Sequence, residues 1–455
     1  MKRTVVKLSI LAVGLCLSTA VSACRAEENA GIPTSAGRAA HASHMLATDN
    51  LCPADAELIA RIDASLARAG KYLIDAQSDD GGWYSQTYGL LRSGPTMTPY
   101  VLSSLLFMPQ TGTRGEAAYA RGTALLLDPV EKDGTLRFGP RELHYPVYTA
   151  AMASRVVAHP KPSSAAGRQG QLAYLKYLAD RQLAEPLGWT PADADYGGWG
   201  YSISPPEKPD GVGIAGPFNR ANLSATTFAV AAFRSAKTAP DDKVFKAALQ
   251  FVFRCQNFGD DPRFDDGGFF FMPDDEAQNK AGAIGLDRRG VLRFRSYGTM
   301  TADGLRCLIR CGLPTDHPRV RAARRWLANR FSATDNPGDF PPDRSSLRNA
   351  TYYYWVWSFA HAMIALRTER LERDEKPGLV LSDSMSAGRP AASPSVDWPR
   401  VLARRLIELQ RADGTWANPL TAGMEDDPLV ATPWASAALA ICRAFLSGQL
   451  GSCRR

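Results

Sequence analysis

Apolar residues recur at steps of three and four over two stretches near opposite ends of the chain. In the first, Ile62, Leu66, Ala69, Tyr72, Leu73 and Ala76 fall on one face of a helix; in the second, Val401, Leu402, Arg405, Leu406 and Leu409 do much the same. Both stretches stop at the same signal, Gln77-Ser-Asp-Asp-Gly-Gly-Trp83 in one case and Gln410-Arg-Ala-Asp-Gly-Thr-Trp416 in the other. Asp-Gly ends a helix because Gly accepts positive φ and Asp bonds its own backbone. The Trp that follows is a large apolar anchor able to fold back on the helix just left. A helix, a closing Gln, an Asp-Gly stop and an aromatic in one order, twice over, is a repeat.

Weaker copies lie between. Tyr174, Leu175, Tyr177, Leu178 and Gln182 lead to Tyr196-Gly-Gly-Trp199, and Ala248, Leu249, Phe251, Val252 and Gln256 lead to Asp265-Asp-Gly-Gly-Phe269. Glu131-Lys-Asp-Gly134 with Phe138, and Trp326 to Arg330 followed by Gly338-Asp-Phe340, are degenerate copies that bring the series to six units. Each unit, roughly 50 to 80 residues long, has room for two helices. The expected second helices begin near Thr96-Met-Thr98, Tyr148-Thr149, Ser224-Ala-Thr-Thr227, Thr299-Met-Thr301, Thr351 and Thr432, whose hydroxyls are suited to capping the first free N–H groups. Trp83, Trp199, Phe269 and Trp416, each placed directly after a helix stop, are expected to hold the repeat boundaries together.

The Gln-x-x-Asp-Gly-x-Trp element closing a helix resembles the QW repeat of the squalene cyclase and prenyltransferase (terpenoid cyclase) superfamily, over about Ala56 to Leu446. Ser296-Tyr-Gly-Thr-Met-Thr-Ala302, Asn349-Ala-Thr-Tyr-Tyr-Tyr354 and Asp397-Trp398 resemble secreted bacterial proteins that carry these repeats, a subgroup with no established activity. The resemblance implies an all-α fold, an α/α toroid (α6/α6 barrel) of about six helix-pair repeats with a cavity on its axis. It does not carry the enzymes' chemistry. Squalene cyclases protonate their substrate with a DxDD motif, and the nearest strings here, Asp193-Ala-Asp195 and Asp265-Asp266, lack the third acid. Asp303, Cys307 and His361 offer the residue types of a prenyltransferase zinc site in the right order, with the first two too far apart.

The N-terminus reads as a processing signal. Lys2, Arg3 and Lys7 precede an apolar run from Leu8 to Ala20 and then Val21-Ser-Ala-Cys24, so residues 1–23 are expected to be a signal peptide. Cleavage after Ala23 would release the chain, whereas acylation of Cys24 would tether it to a membrane; either way export, to the periplasm or cell surface, is expected. Residues 24–55, rich in Ala, Gly and Ser at their start, suit a flexible tether. The toroid is expected over 56–446 and a tail over 447–455. The net charge is +7, and without Lys2, Arg3 and Lys7 it falls to +4, with no Lys/Arg run interleaved with aromatics that would point to nucleic acid. Six cysteines remain beyond Cys16 and Cys24, and Cys307 and Cys311 are not in a CxxC setting, so neither a metal nor a cofactor is called for.

If the second helices form an inner ring, their N-termini gather at one end of the axis. Tyr352 to Leu366 is hydrophobic nearly all round, as a helix buried on several sides must be. Tyr354, Trp357, Ser358 and His361 share one of its faces. The candidate site is therefore Tyr297 and Trp357 as ligand-binding residues and Tyr354, His361, Asp426 and Asp427 as catalytic ones. His361 titrates near neutral pH, and a carboxyl desolvated at a cavity mouth can have a raised pKa. The Glu425 to Asp427 cluster can equally serve as a helix N-terminal partner. An isoprenoid or an acidic glycan is the ligand expected of a working cavity, and a scaffold role of a plugged one.

Overall fold

The computed structural model describes residues 53–450 except 93–94, 109–111, 139–144, 160–163, 210–218, 260 and 375–394. The leader, Cys24 and most of the tether lie outside the described residues. Among the described residues, twelve helices of ten residues or more alternate between two concentric rings. The outer ring is α1 (Pro53–Asp75), α3 (Gly112–Leu127), α5 (Ala165–Ala179), α7 (Lys243–Arg254), α9 (Pro318–Arg330) and α11 (Trp398–Leu409). The inner ring is α2 (Thr98–Phe107), α4 (Pro146–Val157), α6 (Leu223–Ser235), α8 (Gly298–Arg310), α10 (Tyr352–Leu366) and α12 (Pro428–Leu446). Each inner helix packs on the next, and α12 returns to α2; α1 likewise lies against α11 and α12, so both rings close. The fold is an α/α toroid. Two antiparallel hairpins, Ala283–Leu286 with Leu292–Phe294 and Arg370–Glu372 with Ser395–Asp397, decorate it.

The repeat signal acts as a stitch. Trp83, Trp199 and Trp416 donate their indole N–H to Leu73, Leu178 and Leu406, back on the outer helix just completed, at 2.7, 2.7 and 2.8 Å. All three, with Phe269, are fully buried. The closing glutamines each make two bonds from Nε2, one to the Gly carbonyl of their own turn and one to the following outer helix. Gln77 reaches Ala118 (2.8 Å), Gln182 reaches Val244 (2.9 Å), Gln256 reaches Arg319 (2.9 Å), and Gln410 reaches Ser65 of α1 (2.9 Å). The last of these closes the circle. The turn glycine approaches the same neighbour: Gly414 has φ +87°, and a Cβ there would lie 2.8 Å from the Arg68 carbonyl oxygen.

The threonines do not cap their own helices. Thr98, Thr226, Thr301 and Thr432 sit inside the first turn, and each hydroxyl accepts the backbone N–H of Trp83, Trp199, Phe269 or Trp416 at 3.0 to 3.3 Å. Thr226 and Thr301 pass their own proton to the carbonyl four residues back. They therefore bind repeat turn to inner helix, while Asn222 and Asp427 provide caps. In α11 the buried stripe is Trp398, Pro399, Leu402, Ala403 and Leu406, and Val401 faces solvent, one position away from the face its periodicity predicts. Helix α12 is long and apolar enough to cross a membrane, but most of it is buried inside the ring.

Candidate functional site

The six inner helices present their first two turns to a cavity of about 440 Å³ on the axis. Tyr100, Tyr148, Phe228, Met300, Tyr354 and Trp434 come from α2, α4, α6, α8, α10 and α12 in turn. Three of these stand two residues after the stitching threonine of their helix: Tyr100 after Thr98, Phe228 after Thr226 and Trp434 after Thr432. The loops from repeat turn to inner helix add Tyr145, Tyr201, Phe271 and Tyr297, making nine aromatic rings in the wall. The rings contact one another. Tyr100 meets Trp434 edge-on with centroids 5.1 Å apart, Tyr148 meets Phe228 at 4.9 Å, and Tyr148 stacks on Tyr201 at 5.7 Å.

Trp357 lies beneath this wall rather than in it, stacked on Phe228 at 5.5 Å and 4.4 Å from Trp434. Below it is a buried polar knot. In α8, Asp303 occupies the position two after Thr301 where α2, α6 and α12 place an aromatic ring. Its carboxylate accepts the Tyr354 and Ser358 hydroxyls, each at 2.5 Å, and Arg306 Nη1 at 2.9 Å. Burial raises the Asp303 pKa against the opposing pull of Arg306 and the two hydroxyls. The Arg306 guanidinium sits 4.5 Å from the Trp357 ring centre, a cation–π contact. Tyr354 joins this knot to the cavity, because its hydroxyl is also 2.6 Å from Ser224 Oγ on the wall.

Tyr297 and Tyr354 line the cavity, and the other candidates do not. His361 is behind Trp357, its Nδ1 on the Trp357 carbonyl at 3.0 Å and its ring edge-on to Phe107. Burial and then the nearby Arg306 charge hold its pKa well below the ordinary value. Asp426 accepts the Tyr88 hydroxyl, and Asp427 accepts Ser85 Oγ and caps α12 through the Leu429 N–H at 2.8 Å. The acid of that cluster that reaches the cavity is Glu425. It caps a different helix, α10, by accepting the N–H groups of Tyr353 (2.9 Å) and Tyr354 (2.7 Å), and it also accepts Asn418 Nδ2. Burial pushes its pKa up to about 7 even so.

Lys280 escaped the sequence reading altogether. It comes from the loop between α7 and α8, where Asn279 folds the chain inward by bonding the Phe271 N–H (2.8 Å) and the Met272 carbonyl (2.8 Å). No periodicity marks such a residue. The signal for the wall itself was present, since Tyr100, Phe228 and Trp434 share one offset from the stitching threonine.

A closed ring of helix pairs around an aromatic axial cavity defines the class, an α/α toroid. No protein-family profile matches the chain, and no curated protein matches it. Among solved structures, the unsaturated glucuronyl hydrolase of Bacillus sp. GL1, responsible for glycosaminoglycan degradation, is similar with a TM-score of 0.50 at 11% identity, over 88% of this chain and 100% of that one. The type II terpene cyclase MstE of Scytonema, in complex with geranylgeranyl dihydroxybenzoate, has a TM-score of 0.47 at 12% identity over 86% and 99%. A protein from Actinoplanes has 0.46 at 16% identity over 84% and 99%. At these identities the likeness is one of fold.

Proposed function

We propose that this chain is a ligand-binding toroid whose axial cavity holds an isoprenoid, exported and tethered to a membrane through an acylated Cys24. The observation that carries the reading is the wall: nine aromatic rings around a cavity of about 440 Å³, within the size range of small-molecule sites. Such walls offer apolar area and π faces to a branched hydrocarbon. An acidic glycan would call for several charged and amide side chains converging on its hydroxyls and carboxylates. Those side chains are few in this wall.

Holding the ligand fits the local acids better than cyclising it. Protonating an alkene demands a strong acid, and the carboxyl at the wall, Glu425, is made weaker by burial. Asp303 is already the acceptor of two hydroxyls and a guanidinium. The test is equilibrium binding followed by tryptophan fluorescence, with farnesol and with unsaturated glucuronate oligosaccharides. Farnesol is expected to change the Trp434 emission and to lose affinity about tenfold or more in Trp434→Ala, the scale of one large apolar contact. Binding of the oligosaccharide with none of farnesol would reverse the reading. Membrane fractionation of Cys24→Ser tests the anchor, which predicts transfer to the soluble fraction.

A further inference from the structure

Two polar groups in the aromatic wall are left unbonded among the described residues. Half-buried Lys280 lines the cavity, and its ammonium makes no hydrogen bond or ion pair among the described residues. Glu425 lies close enough to act on it electrostatically, but its oxygens are taken up by two backbone N–H groups and Asn418, and the two side chains form no ion pair. Thr299 lines the same cavity at 1% exposure, and its Oγ1 is buried without a partner. Its backbone is fixed, because the Thr299 N–H donates to Asn336 Oδ1 at 3.0 Å. Lys280 is likewise set in place by the Asn279 turn and by the fully buried Ala281 that follows it. A buried hydroxyl left unbonded, as Thr299 Oγ1 is, is costly to the fold. A ligand that supplies the missing acceptor removes that cost on binding.

We infer that Lys280 and Thr299 form a head-group subsite for a single carboxylate, so that the ligand is an isoprenoid acid with its hydrocarbon body among the aromatic rings. This rests on the isoprenoid reading above and narrows it. The charge balance selects a monoanion. One ammonium faces the cavity, and the carboxyl beside it, Glu425, is weakened by burial and engaged by two N–H groups and Asn418, so a single carboxylate matches the ammonium while a diphosphate brings two or three negative charges to one positive one. An alcohol head would satisfy Thr299 but bring no charge to the ammonium.

The experiment compares farnesoic acid, farnesol and farnesyl diphosphate, which share one hydrocarbon chain and differ in the head, by titration calorimetry on the full chain. Wild-type protein should bind the acid about tenfold or more tighter than the alcohol, as befits a hydrogen bond to a charged group, with the diphosphate weaker than the acid. Lys280→Met should abolish the preference for the acid over the alcohol, Lys280→Arg should keep most of it, and Thr299→Val should lower it in part. Matching melting curves for the variants exclude misfolding as the cause. Equal binding of acid and alcohol by the wild type, a preference that survives Lys280→Met, or tightest binding of the diphosphate would each overturn the subsite while leaving the isoprenoid reading in place. Failure of all three compounds to bind would overturn both.

Discussion

Trp416 has no solvent-exposed surface and its indole N–H is bonded to Leu406, so truncation removes both a large packed volume and the partner of a buried carbonyl. Trp416→Ala should cost about 3 to 5 kcal/mol, the usual range for deleting a buried Trp, read from denaturant unfolding. A loss below about 1 kcal/mol would mean that the stitch carries little of the stability. Glu425 offers a titration test. The folded chain holds its proton up to about pH 7 instead of the usual 4.5, because of burial. Between those values the native state binds more protons than the unfolded one. The stability this group contributes is therefore greatest below pH 4.5 and is lost as pH rises through 7. Glu425→Gln removes that slope, so the melting temperature of the variant, taken relative to wild type, should rise across this window. A difference that does not vary with pH would refute the assignment. At this scale the sequence was informative where side chains follow helical spacing, as with Tyr354. It was misleading further along the same face, where Trp357 and His361 pack on each other beneath the cavity floor instead of joining Tyr354 in the wall. It was silent on Lys280, whose direction depends on a loop folded by Asn279.

The repeat unit was legible because its parts are local: a helix, a glutamine, a turn and a ring within a few residues of one another. What the glutamine is for was not legible, since its second bond lies 41 to 63 residues further on, or, for Gln410, 345 residues back. The threonines were misread for a related reason. Their partner is the N–H of a ring 15 to 32 residues earlier, and a hydroxyl near a helix start is read most simply as that helix's own cap. The small hairpins are too short for an alternating pattern to show. The turn glycines allow a comparison between a strong and a degenerate copy of the repeat. Gly414 and Gly134 both have positive φ, +87° and +79°, but an added Cβ meets the Arg68 backbone at Gly414 and nothing within 4 Å at Gly134. Gly134→Ala should cost about 1 to 2 kcal/mol from conformation alone, and Gly414→Ala clearly more. Equal losses in thermal denaturation would show that the close approach to α1 is unimportant.

At the scale of the molecule the ring has no free end. Helix α1 buries Leu58, Ile62, Leu66 and Leu73 against partners from the far end of the chain, and Arg443 of α12 bonds Asp63 of α1. Deleting residues 53–75 should therefore uncover an apolar strip on α11 and α12 and destroy the single sharp melting transition of the whole chain. Increased binding of a hydrophobic dye and a broadened melt would be the readouts, and a truncated chain that melts as sharply as the full one would show that the circle need not close.

That closure also sets an order of events during synthesis. Helix α1, the first among the described residues, has main partners, α11 and α12, that are made last, so most of its apolar face has nothing native to cover it until nearly the whole ring exists. Contacts of such long sequence separation form slowly. A polypeptide built this way keeps its ring open through most of its synthesis and reaches its final shape only once α12 has been made.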